Sequence, residues 1–340
     1  MFIAILGAGT WGIALARILA EAGNRVTVWS AIPEEVSELS AVRRHKNLPG
    51  MAIPEDIRFT ANIGEAAAGA DAVLFAVPSV YVRETARKAA PYITSGQVLA
   101  DAAKGIEPGT LKTMSGIISE EIPASEPVVF SGPTHAEEVA RDLPTTIVSA
   151  CGDIEKAKFI QGLFRGTCIR AYTNTDVLGV EIAGALKNII ALAAGISEGL
   201  GYGDNTKAAL ITRGLEEIRR LGMAMGCREQ TFSGLAGMGD LIVTATSRHS
   251  RNNRCGFLIG QGYSADEAAR QVGMVVEGLN ALPAAMSLAG KYRVEMPITS
   301  AVSDIVHGAD PSDAVKMLMG RELKAELHRP ETDPFSGRMG

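Results

Sequence analysis

The chain lacks a strong charge of either sign: 33 Lys and Arg stand against 38 Asp and Glu, a net charge of −5 over 340 residues. Such a balance supplies no global field for nucleic acid or anionic lipid, so neither is expected as a partner. Any anionic ligand must then be held by a local site. Cysteine is sparse, and Cys151, Cys168, Cys227 and Cys255 lie far apart with no Cys-x-x-Cys pair. That spacing implies no metal framework and predicts reduced, buried thiols. Residues 1–6 carry neither a basic n-region nor a small-residue cleavage site, so no secretion signal is read and a cytoplasmic protein is expected. The longest apolar run, around 182–196, is short and holds Lys187 near its middle, which argues against membrane insertion. Internal repeats and low-complexity linkers are absent as well.

What is present is a change of pattern partway along. Phe2–Leu6 is an apolar run of strand length that passes into Gly7-Ala-Gly9-Thr-Trp-Gly12, then a helical pattern over Ile13–Ala22, then a second strand, Arg25–Trp29. In that context Gly7 permits a tight turn, Gly9 lets a backbone approach pyrophosphate, and Gly12 lets helix and strand pack closely. Further strands are expected at Ala72–Val77, Gln97–Ala100, Pro127–Phe130, Thr145–Ser149 and Cys168–Ala171. Short helices are expected over Ala136–Ala140 and Ile154–Phe164. From Val177 to Leu327 nearly everything has helical period or turn chemistry. The expectation is an α/β Rossmann-like dinucleotide-binding domain over 1–176, an all-α domain over 177–327, and a disordered tail over 328–340.

Several residues carry chemistry. Lys104 stands just past a strand's carboxyl end, where open α/β sheets bind ligands. In the helical half, Gly179–Gly201 reads as a helix apolar nearly all round, interrupted by Glu181, Lys187 and Asn188. An ammonium in such a core has lost hydration, so its pKa falls toward the proton-exchange range. The structural alternative is a lysine that snorkels or pairs with a carboxylate. Gly234–Gly239 is a glycine-rich turn leading into an apolar helix, with Asp240 placed as an N-cap or as a functional carboxylate. Ser247–Arg254 gathers Arg248, Arg251 and Arg254 among Ser and Asn donors, a set suited to a phosphate dianion or simply to solvent. At the end of the second strand Ser30-Ala31-Ile32-Pro33 offers neither the acid that favours NAD nor the base that favours NADP, and Glu34 and Glu35 come slightly late.

Together these pieces resemble the bacterial type of NAD(P)-dependent glycerol-3-phosphate dehydrogenase. The resemblance runs from Phe2 to about Leu327 and rests on motifs at 7–12, 104–107, 131–134, 180–188, 237–241, 250–252 and 275–278. It implies interconversion of dihydroxyacetone phosphate and sn-glycerol 3-phosphate with NAD or NADP, supply of glycerol 3-phosphate for phospholipid synthesis, and a homodimer. By the family's pattern Lys187 is the general acid–base, with Lys104, Asp240 and Thr244 around the same oxygen. Ser250, Arg251 and Asn252 bind substrate phosphate, Gly132 and Thr134 contact substrate, and Asn188 caps, orients or touches it. Gly7, Gly9, Thr10, Trp11, Gly12, Lys104, Ala136, Arg251, Val275 and Glu277 contact cofactor. The family often has a basic residue just after the second strand, where Ala31 or a neighbour stands here, so NAD against NADP stays open. The run His45–Gly50 is shorter than the family's, and no cofactor contact is carried over to it. Two alternatives remain: a 3-hydroxy acid or keto acid dehydrogenase of the same architecture, and a non-catalytic redox sensor.

Overall fold

The computed structural model describes residues 1–123 and 125–323; the tail expected over 328–340 lies outside the described residues. Among the described residues eight strands form one sheet in the order β3-β2-β1-β4-β5-β6-β7-β8. They are β1 (Phe2–Leu6), β2 (Arg25–Trp29), β3 (Arg58–Thr60), β4 (Ala72–Phe75), β5 (Val98–Asp101), β6 (Val128–Ser131), β7 (Thr145–Ala150) and β8 (Ile169–Asn174). All neighbours pair in parallel except β6 with β7. Ile3 through Leu6 and Ala72 through Phe75 are fully buried, as strands covered by helices on both faces must be. Because β1 lies between β2 and β4, the chain crosses over there and leaves a crevice at the strands' carboxyl ends. The expected Rossmann-like sheet and helical second half are both present.

Two details depart from the expectation. The edge strand β3 has no apolar run to announce it, because its three residues are only partly covered. At the other edge β8 runs on to Asn174, through half-exposed Tyr172 and Thr173 that pair with Val148 and Ser149.

Beyond Asn174 the architecture is helical. Asp176 caps the Val177–Gly199 helix by accepting the Gly179 N–H at 3.1 Å, and also accepts from Arg228 N–H and Thr231 Oγ1. Every residue from Gly179 to Ser197 is buried. The helix is long and apolar enough to cross a membrane, yet 89% of its apolar stretch is covered by the rest of the protein. Its closest neighbour is the Arg251–Gly260 helix. A Cβ on Gly195 would lie 2.0 Å from the Asn253 carbonyl oxygen, and one on Gly256 2.1 Å from that of Leu192. The two backbones touch, and that contact fixes where Asn252 stands relative to Asn188. Cys151, Cys227 and Cys255 are buried free thiols and Cys168 is half-buried. Burial pushes Cys227 up to about 12 and Cys255 to about 11, so neither is a ready thiolate.

Candidate active site

The site lies along the carboxyl ends of β1, β4, β5 and β6, and is closed by the helical half. At its first end, Gly7 adopts φ of +127°, and a Cβ there would sit 2.7 Å from the Ala76 carbonyl. Gly9 precedes the Thr10–Glu21 helix as an N-cap without a capping side chain, and a Cβ on it would meet nothing within 4 Å. Free helix N–H groups thus face open space beside a glycine, which is the shape a dinucleotide pyrophosphate needs. The residues present fit such a cofactor. Trp11 is half-buried, with its ring 6.3 Å from that of Phe130. Asn47 Nδ2 donates to Thr10 Oγ1 at 3.5 Å and reaches Met274 Sδ at 3.7 Å, drawing the short 45–50 segment over the turn. Nothing in the pattern around His45 singled out Asn47.

Glu277 bridges the two halves. Its Oε1 accepts the Ser79 N–H at 3.0 Å and its Oε2 accepts from Ser79 Oγ at 2.5 Å. Ser79 follows β4 by a short turn, so this carboxylate ties the wall of the crevice to the start of the Glu277–Tyr292 helix. Both of its oxygens are committed to Ser79, which makes Glu277 a latch as well as a neighbour of the crevice.

At the centre stand two lysines and one carboxylate. Lys187 Nζ donates to Asp240 Oδ1 at 2.6 Å and to Thr244 Oγ1 at 2.5 Å. Lys104 Nζ donates to Asp240 Oδ2 at 2.7 Å, to the Gly132 carbonyl at 3.0 Å and to Thr134 Oγ1 at 3.3 Å. Lys187 is 5% exposed and Asp240 1%, whereas the Lys104 side chain keeps 18% of its surface. Burial brings Lys187 down to about 8, opposed by Asp240 and helped by the charges of Lys104 and Arg251. Burial alone would raise Asp240, but Lys104 and Lys187 hold it below the usual carboxylate range. The snorkelling alternative for Lys187 fails, because its ammonium stays inside.

The N-cap alternative for Asp240 fails too. Leu235–Gly239 forms a wide π-helical turn that continues into the Asp240–Thr246 helix, so Asp240 is already a helical residue. Gly239 before it has helical dihedrals, and no side chain caps the helix. Glu181, Lys187 and Asn188, the three interruptions the sequence shows, each have a partner. Glu181 accepts from Ser115 N–H and Oγ, Lys187 is met by Asp240 and Thr244, and Asn188 Oδ1 accepts from Asn252 Nδ2 at 3.0 Å. Asn188 Nδ2 in turn donates to the Gly184 carbonyl at 3.3 Å.

The far end is the start of the Arg251–Gly260 helix. Ser250 caps it, accepting the Asn253 N–H at 3.2 Å. Asn252 Oδ1 accepts the Gly278 N–H at 2.8 Å. Arg251 is half-buried, and its guanidinium donates to the Val275 carbonyl at 3.1 Å. Arg248 and Arg254 are exposed, so of the three arginines read as suited to a phosphate or to solvent only Arg251 combines a half-buried position with a contact to the turn before Glu277. Ala136 opens the short Ala136–Val139 helix and is buried. His135 just before it lies beside the Val243 carbonyl at 3.4 Å, with its ring 6.0 Å from His249. Burial, with the charge of Lys187 in support, keeps His135 below its ordinary pKa. A lone His in a loop gives no local signal, so the sequence does not announce that these two rings meet.

Comparison with known proteins gives this arrangement a context. Residues 2–157 match the family described as NAD-dependent glycerol-3-phosphate dehydrogenase N-terminus, and residues 176–316 match the corresponding C-terminus. A protein of Lactobacillus delbrueckii subsp. bulgaricus named glycerol-3-phosphate dehydrogenase (NAD(P)+) 2 is 60% identical over 96% of this chain and 98% of its own. One of the same type from Agathobacter rectalis is 49% identical over 95% and 97%. Among solved structures, the crystal structure of glycerol-3-phosphate dehydrogenase from Coxiella burnetii superposes with a TM-score of 0.90 at 38% identity, covering 94% of this chain and 99% of that one.

Proposed function

The chain belongs to the NAD-dependent glycerol-3-phosphate dehydrogenase family, and on that premise we propose how its own residues carry out the interconversion of dihydroxyacetone phosphate and sn-glycerol 3-phosphate. A bound NAD(P)H supplies the hydride to C2, and NAD(P)+ accepts it in the reverse direction. As the ketone is reduced, its oxygen becomes an alkoxide that needs a proton at once. Lys187 gives that proton as an ammonium and recovers it as an amine during oxidation, and a group near 8 does both at neutral pH. Asp240 orients the ammonium, and Thr244 fixes its second hydrogen bond. Lys104 supplies a second positive charge from the other side of the carboxylate, beside Gly132 and Thr134. Arg251, Ser250 and Asn252 hold the phosphate at a helix N-terminus, where N–H groups and dipole favour an anion. Anchoring the phosphate there holds C2 in place for the transfer.

The observation that carries the reading is one buried carboxylate shared by two lysines from opposite halves of the chain. The division at about residue 176 is supported by the sheet ending at Asn174 and the central helix starting at Val177. Supply of glycerol 3-phosphate for phospholipid synthesis, action in the cytoplasm and a homodimer complete the proposal on the strength of the family resemblance. Light scattering checks the last of these.

The test is NAD(P)H oxidation with dihydroxyacetone phosphate. Lys187→Ala should lower kcat by about 10²–10⁴ while dinucleotide binding persists. Arg251→Ala should chiefly raise KM, by about 10–100-fold. Wild-type protein inactive on this ketone would overturn the substrate assignment, and an Arg251 variant with normal KM would remove the phosphate role.

A further inference from the structure

A carboxylate stands at the carboxyl end of β2, where a Rossmann crevice seats the adenosine ribose. Trp29, the last residue of β2, accepts the Gly7 N–H at 2.9 Å, so Ser30 follows directly on the strand that borders the glycine-rich turn. Ser30 is 5% exposed, and its N–H donates to the Thr60 carbonyl at 3.1 Å. Its hydroxyl accepts the Ile32 N–H at 3.2 Å and donates to Glu35 Oε2 at 2.5 Å. Pro33 begins the Pro33–Val42 helix, and the first turn of that helix carries Glu35 back to the strand end. A carboxylate that comes late in sequence is therefore in place in space. Among the described residues Glu35 Oε1 takes no hydrogen bond, which leaves it available to a ribose hydroxyl.

The cations of this region do not answer Glu35. Arg43 is turned to the Pro54 and Ile57 carbonyls, pairs with Glu55 at 3.5 Å and lies over the Phe59 ring. His45 is buried among Glu35, Glu38 and Lys46, and burial outweighs both acids in keeping it below its ordinary pKa. Arg44 and Lys46 are exposed. Ser30, Ala31 and Ile32 bring no positive charge of their own.

We propose that Glu35, anchored by Ser30, reads the 2′ position of the adenosine ribose and makes this chain favour NAD(H) over NADP(H). A carboxylate oxygen accepts a strong hydrogen bond from a 2′-hydroxyl and repels a 2′-phosphate dianion at the same place. The assignment rests on the dehydrogenase reading only in requiring a dinucleotide along this edge.

Direct titration of NADH and NADPH, followed by calorimetry and nicotinamide fluorescence without substrate, tests it. Wild-type protein should bind NADH at least about tenfold more tightly. Glu35→Gln and Glu35→Ala should erase most of that ratio, mainly by gaining affinity for NADPH. A wild-type preference for NADPH, lost in Arg44→Ala or Lys46→Ala, would overturn the assignment and give the 2′ site to those cations. Unchanged ratios in both Glu35 variants would overturn it as well, as would a protein that binds neither dinucleotide. Discrimination in binding without turnover of dihydroxyacetone phosphate would leave Glu35 its role and remove the dehydrogenase reading.

Discussion

Two glycine-rich turns in this chain look alike on paper and do opposite things. Gly7–Gly12 and Gly234–Gly239 each hold three glycines and lead into a helix. In the first, Gly9 borders open space and the helix begins with uncapped N–H groups, so the turn offers its backbone to a ligand. In the second, a Cβ on Gly237 would lie 2.1 Å from the Phe232 carbonyl oxygen, and the turn runs on into helix. Gly237 lets the chain close on itself, and what the turn delivers is a side chain, Asp240. Glycine spacing says that something approaches closely. Whether that something is a ligand or the protein's own backbone depends on what surrounds the turn.

The strongest way to break the second turn's product is Asp240→Asn. It leaves two ammonium groups facing each other with a neutral amide between them, one of them fully enclosed. Loss of a buried charge partner costs about 3–5 kcal/mol, so the thermal midpoint should fall, and kcat should fall by at least about 10². The pH profile carries a sharper signature. Ketone reduction requires the ammonium form, so wild-type activity should be full below about 8 and fall above it, while alcohol oxidation should rise through the same range. Asp240 favours the charged form of Lys187, so without it the limb in both directions should move to lower pH. A limb that stays put in the variant would mean that Lys187 is not the titrating group.

Gly237→Ala addresses the same turn through its backbone. The added methyl has no room beside Phe232, and overpacking of this kind costs about 1–3 kcal/mol. Chemical denaturation should show that loss while the affinity for NADH stays within about twofold, since the first turn is untouched. An equal loss of dinucleotide binding would show that the two turns act as one unit.

How much of this could be read in the sequence follows the same division. The first turn was legible as strand, glycines and helix because the three are consecutive in the chain. Lys187 was legible as an anomaly, a charge inside an apolar helix, although its partners lie more than 50 residues away. Asp240 was half legible: its helix start was visible, but a cap and a carboxylate that pairs with distant lysines share that position in a pattern. Ser79 with Glu277, and Asn47 with Thr10, were beyond reach as pairs, because each joins segments that only the fold brings together. The strand β3 went unseen because three half-covered residues carry no periodicity. Glu35 shows the converse: it stands several residues beyond β2 in sequence, yet the helix that begins at Pro33 brings its carboxylate onto Ser30 at the strand's end.

The smallest expected effect is also the cleanest test of the contrast between the turns. Gly9 has a negative φ, of −67°, and a Cβ there would meet nothing within 4 Å, so Gly9→Ala strains no backbone and crowds no neighbour. Its folding stability should stay within about 0.5 kcal/mol of wild type. The new methyl would instead occupy the space a pyrophosphate approaches, and affinity for either dinucleotide should fall by about tenfold. Gly237→Ala should therefore lose stability and keep binding, and Gly9→Ala should lose binding and keep stability. Calorimetric titration of NADH beside a thermal melt separates the two. If Gly9→Ala bound NADH as tightly as wild type, the open space beside Gly9 would not be the pyrophosphate site, and the cofactor would have to approach β1 from another side.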